Sequence, residues 1–426
     1  MRKVYLSMIG FSLLCRLNVS AQTKQDSLPQ TTGISLFKPI GQPEPSEYHP
    51  RGLHIDEINL VSSYYWQNGD HSAVTGGIGT EKVTDISNGL DLKMVWGDPK
   101  VKQNSLTVGI GFDHHTSASA AYVNLSGASN TGGSRIYPSI DWTTENIKRG
   151  SSFGIGAYYS GEYNYQSLGA DVHFSQKTAD KNGEFTAKVQ AYFDQVKMIY
   201  PSEFIPQSTS TVVTSASGTG EGHKANIPSS PRNTYSASLG YSQVINSRMQ
   251  VMFLVDGVAQ NGYLGLPFHR VYFNTGKDTI EHLPSSRFKL PVGVRLNYFL
   301  GDNIILRSYY RYYRDSWGVK SNTVGLETAI KLTPFFSISP FYRYYDQTAA
   351  KYFAPYEAHS PTDEYYTSNY EYAQFHANFY GVGFRVAPPK GVFGWQNLHD
   401  LELRYGHYSQ TTDLVSNVVS LSLGFK

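Results

Sequence analysis

Apolar side chains recur at every second position from Glu57 to the end of the chain, a spacing that builds strands with one greasy face. Leu106, Val108, Ile110 and Phe112 alternate with Thr107, Gly109, Gly111 and Asp113. Phe185, Ala187, Val189, Ala191 and Phe193 alternate with Thr186, Lys188, Gln190, Tyr192 and Asp194. The same rhythm runs through Phe288, Leu290, Val292, Val294, Leu296 and Tyr298, and through Val419, Leu421, Leu423 and Phe425. No internal window holds a run of apolar residues long enough for a helical membrane span, so a helical bundle is excluded. With 33 Tyr and 22 Phe in 426 residues the composition argues against disorder. A net charge of +2 gives no footprint for nucleic acid.

Alternation alone does not separate a soluble sandwich from a membrane barrel; the connections do. Strands are expected at 57–67, 83–96, 104–116, 136–146, 152–160, 163–176, 184–199, 234–245, 249–260, 287–300, 303–314, 320–332, 335–348, 371–387, 399–409 and 414–426. Short connections near 97–103, 147–151, 177–183, 246–248, 301–302 and 333–334 alternate with long ones at 117–135, 200–233, 261–286 and 349–370. Three connections on the long side, near 161, 317 and 411, are short, and 388–398 is long for the short side. Short turns at one end and long loops at the other are the habit of a transmembrane barrel. The expected fold is all-β: a transmembrane antiparallel barrel of about 16 strands, or 14 if two short ones merge, with both termini periplasmic and the wall in contact with lipid of the cell outer membrane. Trp66, Tyr64, Trp96, Phe336, Tyr342 and Tyr344 fall where interfacial aromatic girdles would lie. Phe425, with Leu423 and Leu421, resembles the C-terminal signal read by the barrel insertion machinery, although Lys426 follows it. Pro291 and Pro340 fall inside expected strands, where they would mark bulges or open ladder positions.

The amino terminus reads as an export signal. Arg2 and Lys3 precede the apolar run from Val4 to Leu14, and Val19, Ser20 and Ala21 suit cleavage after residue 21. Cys15 is the only cysteine, and Leu14 before it is too large for a lipoprotein signal. Residues 1–21 are assigned to the signal peptide, 22–55 to a flexible or plug-like segment with five prolines, and 56–426 to the barrel.

Several stretches carry a family likeness. They are Thr116 to Ser119, Phe268-His269-Arg270-Val271, Leu283 to Arg287, Tyr312 to Gly318, and Phe341 to Tyr345 followed by Gln347 to Phe353. The last two are the most specific. Together they resemble domain-of-unknown-function family 3570, uncharacterised outer-membrane β-barrel proteins of Bacteroidota, over roughly 55–426. The resemblance implies a compartment and a fold but no reaction. Its relatives' association with thioredoxin-like and flavin-transferring proteins implies, weakly, a lipoprotein or periplasmic redox partner.

The polar phase of the C-terminal strands concentrates cations: Lys289, Arg295, Arg307, Arg311, Lys331, Arg343, Arg385 and Arg404, with Glu327 and Glu402 as the clear acids. A turn near Trp317 sets Arg307 opposite Glu327, and a turn near Pro334 sets Arg343 one diagonal step away. The expected lumen cluster is Arg307, Arg311, Glu327 and Arg343 interleaved with Tyr309, Tyr313 and Tyr345, either as a stiffening lattice or as an anion-attracting constriction. His114 and His115, His269 with Glu281 and His282, and His359 with Asp363 and Glu364 lack a zinc-site spacing, so no metal or other cofactor is expected. No nucleophile elbow or phosphate loop appears, and Ser308 and His376 are a bare pair, so no enzyme is expected. The expected function is a channel or porin-like passage, passive or partner-gated, for a small solute that is anionic if the cationic cluster lines its path. The alternative is a filled barrel that anchors a surface or periplasmic partner.

Overall fold

A computed structural model describes residues 51–116, 132–204 and 227–426. Sixteen antiparallel strands close into one barrel. In chain order they begin with β1 (Arg51–Asn68), β2 (Val83–Asp98), β3 (Lys102–His115), β4 (Gly133–Asn146), β5 (Ser151–Glu162), β6 (Tyr165–Lys177), β7 (Gly183–Lys197), β8 (Ser229–Asn246) and β9 (Met249–Gly262). A two-stranded ribbon, β10 (Arg270–Tyr272) and β11 (Asp278–Ile280), stands apart from the wall. The wall resumes with β12 (Ser286–Leu300), β13 (Ile304–Asp315), β14 (Lys320–Thr333), β15 (Phe336–Gln347), β16 (Phe375–Val386), β17 (Leu398–Gln410) and β18 (Val415–Phe425). β1 pairs with β18, so the sheet has no edge. The chain is an outer-membrane β-barrel, with the start of β1 at Arg51 and the end of β18 at Phe425 both at the periplasmic end, where the turns are short.

The two faces are sorted as the alternation requires. Val108, Ile110 and Phe112 of β3 are exposed on the outside, while Gly109 and Gly111 between them and Asp113 and His115 beyond them are buried within. Val189, Leu168, Leu239 and Phe253 repeat this around the wall, each at least half exposed or nearly so. An apolar surface this continuous is stable only against hydrocarbon. Tyr64 and Trp66 lie side by side at the end of β1, with ring centroids 5.5 Å apart.

Three prolines inside strands sit where one neighbour's ladder is interrupted. Pro138 falls between the β4–β5 pairs Ile136–Gly161 and Ser139–Tyr158. Pro291 falls between the β12–β9 pairs Lys289–Val258 and Val292–Val255. Pro340 falls between the β14–β15 pairs Glu327–Phe341 and Ile330–Ile338. Proline has no N–H to give the ladder, so the pairing opens there.

Some expectations need adjustment. β1 begins at Arg51, inside the stretch assigned to the N-terminal segment; register shifts between Arg51 and His54 and between Ile55 and Glu57 break the period that would have revealed it. The ribbon within 261–286 was not foreseen, because three-residue strands leave no periodic signal. The expected signal peptide, the plug-like segment up to residue 50, and most of the 200–233 loop lie outside the described residues.

Lipid contact has a direct consequence. Val189 is mid-strand and 64% exposed, so Val189→Arg should cost about 2–4 kcal/mol, the toll of a cation near the bilayer midplane. Denaturant unfolding of the barrel from lipid vesicles measures it. An equal-sized loss for the lumen-side Ser238→Arg would contradict the assignment of faces.

Candidate functional site

The inward face is divided by charge. Asp91 on β2, Asp141 on β4, Asp171 on β6 and Asp256 on β9 lie in the lumen phase of their strands. Across the barrel from β2, β4 and β6, strands β12 to β17 carry most of the lumen-phase cations, while Arg135 and Lys188 lie among the aspartates and Asp256 borders the cationic side because β9 pairs with β12. Alternation does not reveal this side, because single aspartates on β2, β4 and β6 come together only when the sheet closes.

The cations are held at several depths. Arg307 is in register with Glu327, with Nη1 donating to Oε1 at 2.7 Å. The second oxygen of Glu327 accepts from Arg404 at 2.8 Å, and Arg404 also donates to Glu402 at 3.1 Å. Arg404 is thus a further partner of Glu327, while Arg343 stands the expected diagonal step away, opposite Gly325, and lies over the Phe379 ring at 4.8 Å. Arg404 covers the neighbouring Phe341 ring at 4.9 Å. Arg385 donates to Asp400 at 2.7 Å. Arg295 lies over Tyr309 at 5.3 Å, and Arg311 is also beside Tyr309. Tyr313 and Tyr345 belong to the rim: Tyr313 donates to Asp315 at 2.7 Å and Tyr345 to Gln347 at 2.6 Å. Lys289 pairs in register with Asp315, also near the rim, and Lys331 is exposed near the periplasmic end. The expected seven-residue cluster is therefore a column spread over the height of the wall.

Asp141, Asp171 and His173 form a compact group among the described residues. His173 Nδ1 is 2.9 Å from Asp171, whose other oxygen takes Tyr158 and, at 3.2 Å, the Lys188 ammonium. Lys188 already supplies the cation such a group attracts. His114 and His115 point apart: His114 meets Ser134 outside at 2.9 Å, and buried His115 meets Glu162 inside at 3.1 Å. Ser308 and His376 both lie in the outward phase, on strands separated by β14 and β15.

The long loops build a cap. In the ring of sixteen strands the β1–β2 and β9–β12 hairpins stand opposite each other. Arg270, almost wholly buried, nevertheless donates from Nη1 to the Val74 carbonyl at 2.6 Å and pairs with Glu203 of the β7–β8 loop. These contacts tie opposite walls across the mouth. Phe268 packs on Val74 and Leu266, and the Tyr272 ring lies against Gly76. Gly76 has φ of +78° and a Cβ there would lie 2.6 Å from that ring, so glycine is required. The β15–β16 loop is the third member. His71 stacks on Tyr370 at 3.8 Å, and His282 and Tyr366 exchange backbone hydrogen bonds at 3.1 and 2.8 Å.

Trp317 anchors the cap to the rim. Its Nε1 donates to the Ser286 carbonyl at 2.9 Å, Arg287 lies over its ring at 4.3 Å, and Tyr372 meets it edge-on at 5.6 Å. Gln347 donates to the Glu371 and Ala373 carbonyls at 2.8 and 2.6 Å. The family-bearing stretches around Arg270, Arg287, Trp317 and Gln347 therefore converge on the cap and its moorings. The stretch 117–119 lies outside the described residues.

A family model described as "Protein of unknown function (DUF3570)" matches residues 128–417. No curated protein matches the chain. Among solved structures, a BenF-like porin from Pseudomonas fluorescens Pf-5 is 8% identical with a TM-score of 0.40, covering 87% of this chain and 98% of its own. Pseudomonas aeruginosa OpdK with vanillate is 8% identical with a TM-score of 0.38, covering 87% and 97%. A bacterial polysaccharide outer membrane secretin is 9% identical with a TM-score of 0.41, covering 87% and 98%.

Two outcomes follow for the cap. Trp317→Ala removes its mooring and should cost about 3–5 kcal/mol locally; limited proteolysis should then cut the 263–285 and 348–374 loops while the barrel keeps its heat-modifiable mobility on gels. Glu81 in the β1–β2 loop has its carboxyl raised above 4.5, chiefly by burial, against the lowering effect of the His71 backbone N–H and side chain. A raised carboxyl binds its proton more tightly when folded, so cap stability rises as pH falls from that raised value towards 4.5. Hydrogen exchange of the loop should slow over that window, and Glu81→Gln should abolish the dependence.

Proposed function

The chain belongs to the DUF3570 family of proteins of unknown function, and for this member we propose a capped outer-membrane channel for a small solute bearing a carboxylate or phosphate. The observation that carries the reading is the column of cations on the lumen face of β12 to β17, opposite the aspartates of β2, β4 and β6. On the basic wall cations outnumber carboxylates, and Arg307 remains half exposed while paired with Glu327. A guanidinium with an exposed edge can take a second anion in a bidentate fork. Successive cations along one wall let an anion pass from site to site without being held. The Asp91–Asp171 side repels the same anion and keeps it against β12 to β17. No catalytic step is part of this reading.

The cap supports gating. Its crossing contacts hang on Arg270 and Trp317, and a partner that engages these loops would change access to the column. The same crossing contacts also support a second reading, a closed barrel that anchors a surface or periplasmic partner such as an envelope redox lipoprotein.

Planar-bilayer recording of the purified protein separates the two. The channel reading expects a small steady current with anion preference, weakened several-fold by combined Arg307→Ala and Arg343→Ala. Arg270→Ala should raise the current by loosening the cap. Silence from both wild type and Arg270→Ala, with a partner retained on purification from native membranes, would favour the anchor and end the channel reading.

A further inference from the structure

At the periplasmic rim the β4–β5 turn and the β6–β7 turn enclose a cleft of about 270 Å³, whose lining includes Lys148, Arg149, Gln176, Lys177, Thr178 and Lys181. The two turns are locked together. Lys177 N–H donates to the Gly150 carbonyl at 2.7 Å, and Gln176 Nε2 donates to the Arg149 carbonyl at 2.9 Å. Gly150 has φ of +64°, and a Cβ there would lie 2.9 Å from the Lys177 Cβ, so the close approach of the turns is built in.

The charge is unevenly answered. Lys177 pairs with Glu145 at 2.9 Å, with Glu184 nearby. Asp180 is turned into its own loop, accepting from Thr178 Oγ1 at 2.5 Å and from Asn182 N and Nδ2 at 3.1 and 3.0 Å. Among the described residues no carboxylate forms an ion pair with Lys148, Arg149 or Lys181. Lys181 holds φ of +59°, a left-handed conformation that few residues other than glycine and asparagine adopt. The Lys181 N–H donates to the Thr178 carbonyl at 2.9 Å and closes the hairpin turn that sets this conformation.

Directly above, on the outward face, three phenylalanines form an exposed patch. Phe153 of β5 is in register with Phe174 of β6, and Phe185 of β7 is in register with Gln176. A cationic cleft at the rim beneath an aromatic patch in the hydrocarbon matches an amphiphile with an anionic head and acyl chains. The shared head chemistry is a phosphate oxyanion. A choline or ethanolamine group would bring its own cation against Lys148 and Arg149, so a net-negative phosphodiester fits best.

We propose that this cleft binds the phosphodiester headgroup of an anionic phospholipid in the periplasmic leaflet, with its acyl chains on Phe153, Phe174 and Phe185. The site fixes the depth and rotation of the barrel near β4 to β7. It is independent of the lumen and of whether solute passes.

Native mass spectrometry of the full-length protein, released from detergent with added phosphatidylglycerol, cardiolipin or phosphatidylcholine, tests it. The expected result is one anionic lipid retained at concentrations where phosphatidylcholine is not. Lys148→Glu with Arg149→Glu should weaken this by roughly thirtyfold, since each basic residue near a surface contributes about a fivefold attraction. Phe153→Ala with Phe174→Ala should weaken lipid retention but leave any inorganic phosphate binding unchanged. Heat-modifiability on gels verifies that each variant is folded. Equal retention of phosphatidylcholine, no effect of charge reversal, displacement of the lipid by millimolar inorganic phosphate, or preferential retention of lipopolysaccharide would each overturn the proposal.

Discussion

Hydrocarbon offers no hydrogen bonds, and every other feature of this protein follows from that. Backbone groups in the wall must find partners within the sheet, so the sheet must close, and β1 meets β18 over a long register from Ile58–Phe425 to Asn68–Val415. The same constraint explains the three prolines. Each gives up one ladder contact, and each opening is confined to the boundary with one neighbour, as with Pro340 opposite β14, so closure survives. It also explains why aromatic and aliphatic side chains cover the outside while aspartate, arginine and tyrosine are turned inward.

Once polar groups are confined to the inside, they must satisfy one another there. The lumen does so by unequal means on its two sides. On the acidic side Asp171 gathers Tyr158, His173 and Lys188 into one tight group. On the basic side Glu327 is shared between Arg307 and Arg404, and aromatic rings take the faces of Arg404, Arg343 and Arg295. Guanidiniums stacked on rings lose less hydration than guanidiniums buried in ion pairs, so this wall keeps positive character while remaining ordered. The cap closes the design at the outer end. Loops from opposite walls meet through Arg270 and Val74, and the third loop is fastened by Trp317 and Gln347.

Strand existence and order were legible because period two is strict wherever one face meets lipid. All sixteen wall strands lie where alternation puts them, and the Arg307–Glu327 register follows from counting back from the turn at Trp317. What was not legible had local causes. The start of β1 hides behind two register shifts, and β10 and β11 are too short to show a period. Arg343 stands the expected diagonal step from Glu327, opposite Gly325, but Arg404 reaches Glu327 from three strands away, a contact that strand-by-strand counting does not show.

The sequence by itself determined the barrel, its sidedness and the inward placement of its charges, since alternation and turn length are local properties of the chain. Only the tertiary structure decided which charges share a level, that aspartates of β2, β4 and β6 face arginines of β12 to β17, and that the family-bearing motifs gather in a cap across the mouth. Those are relations between residues far apart in the chain, and they come into being only when the closing of β1 on β18 sets the circumference and brings opposite walls to a fixed distance.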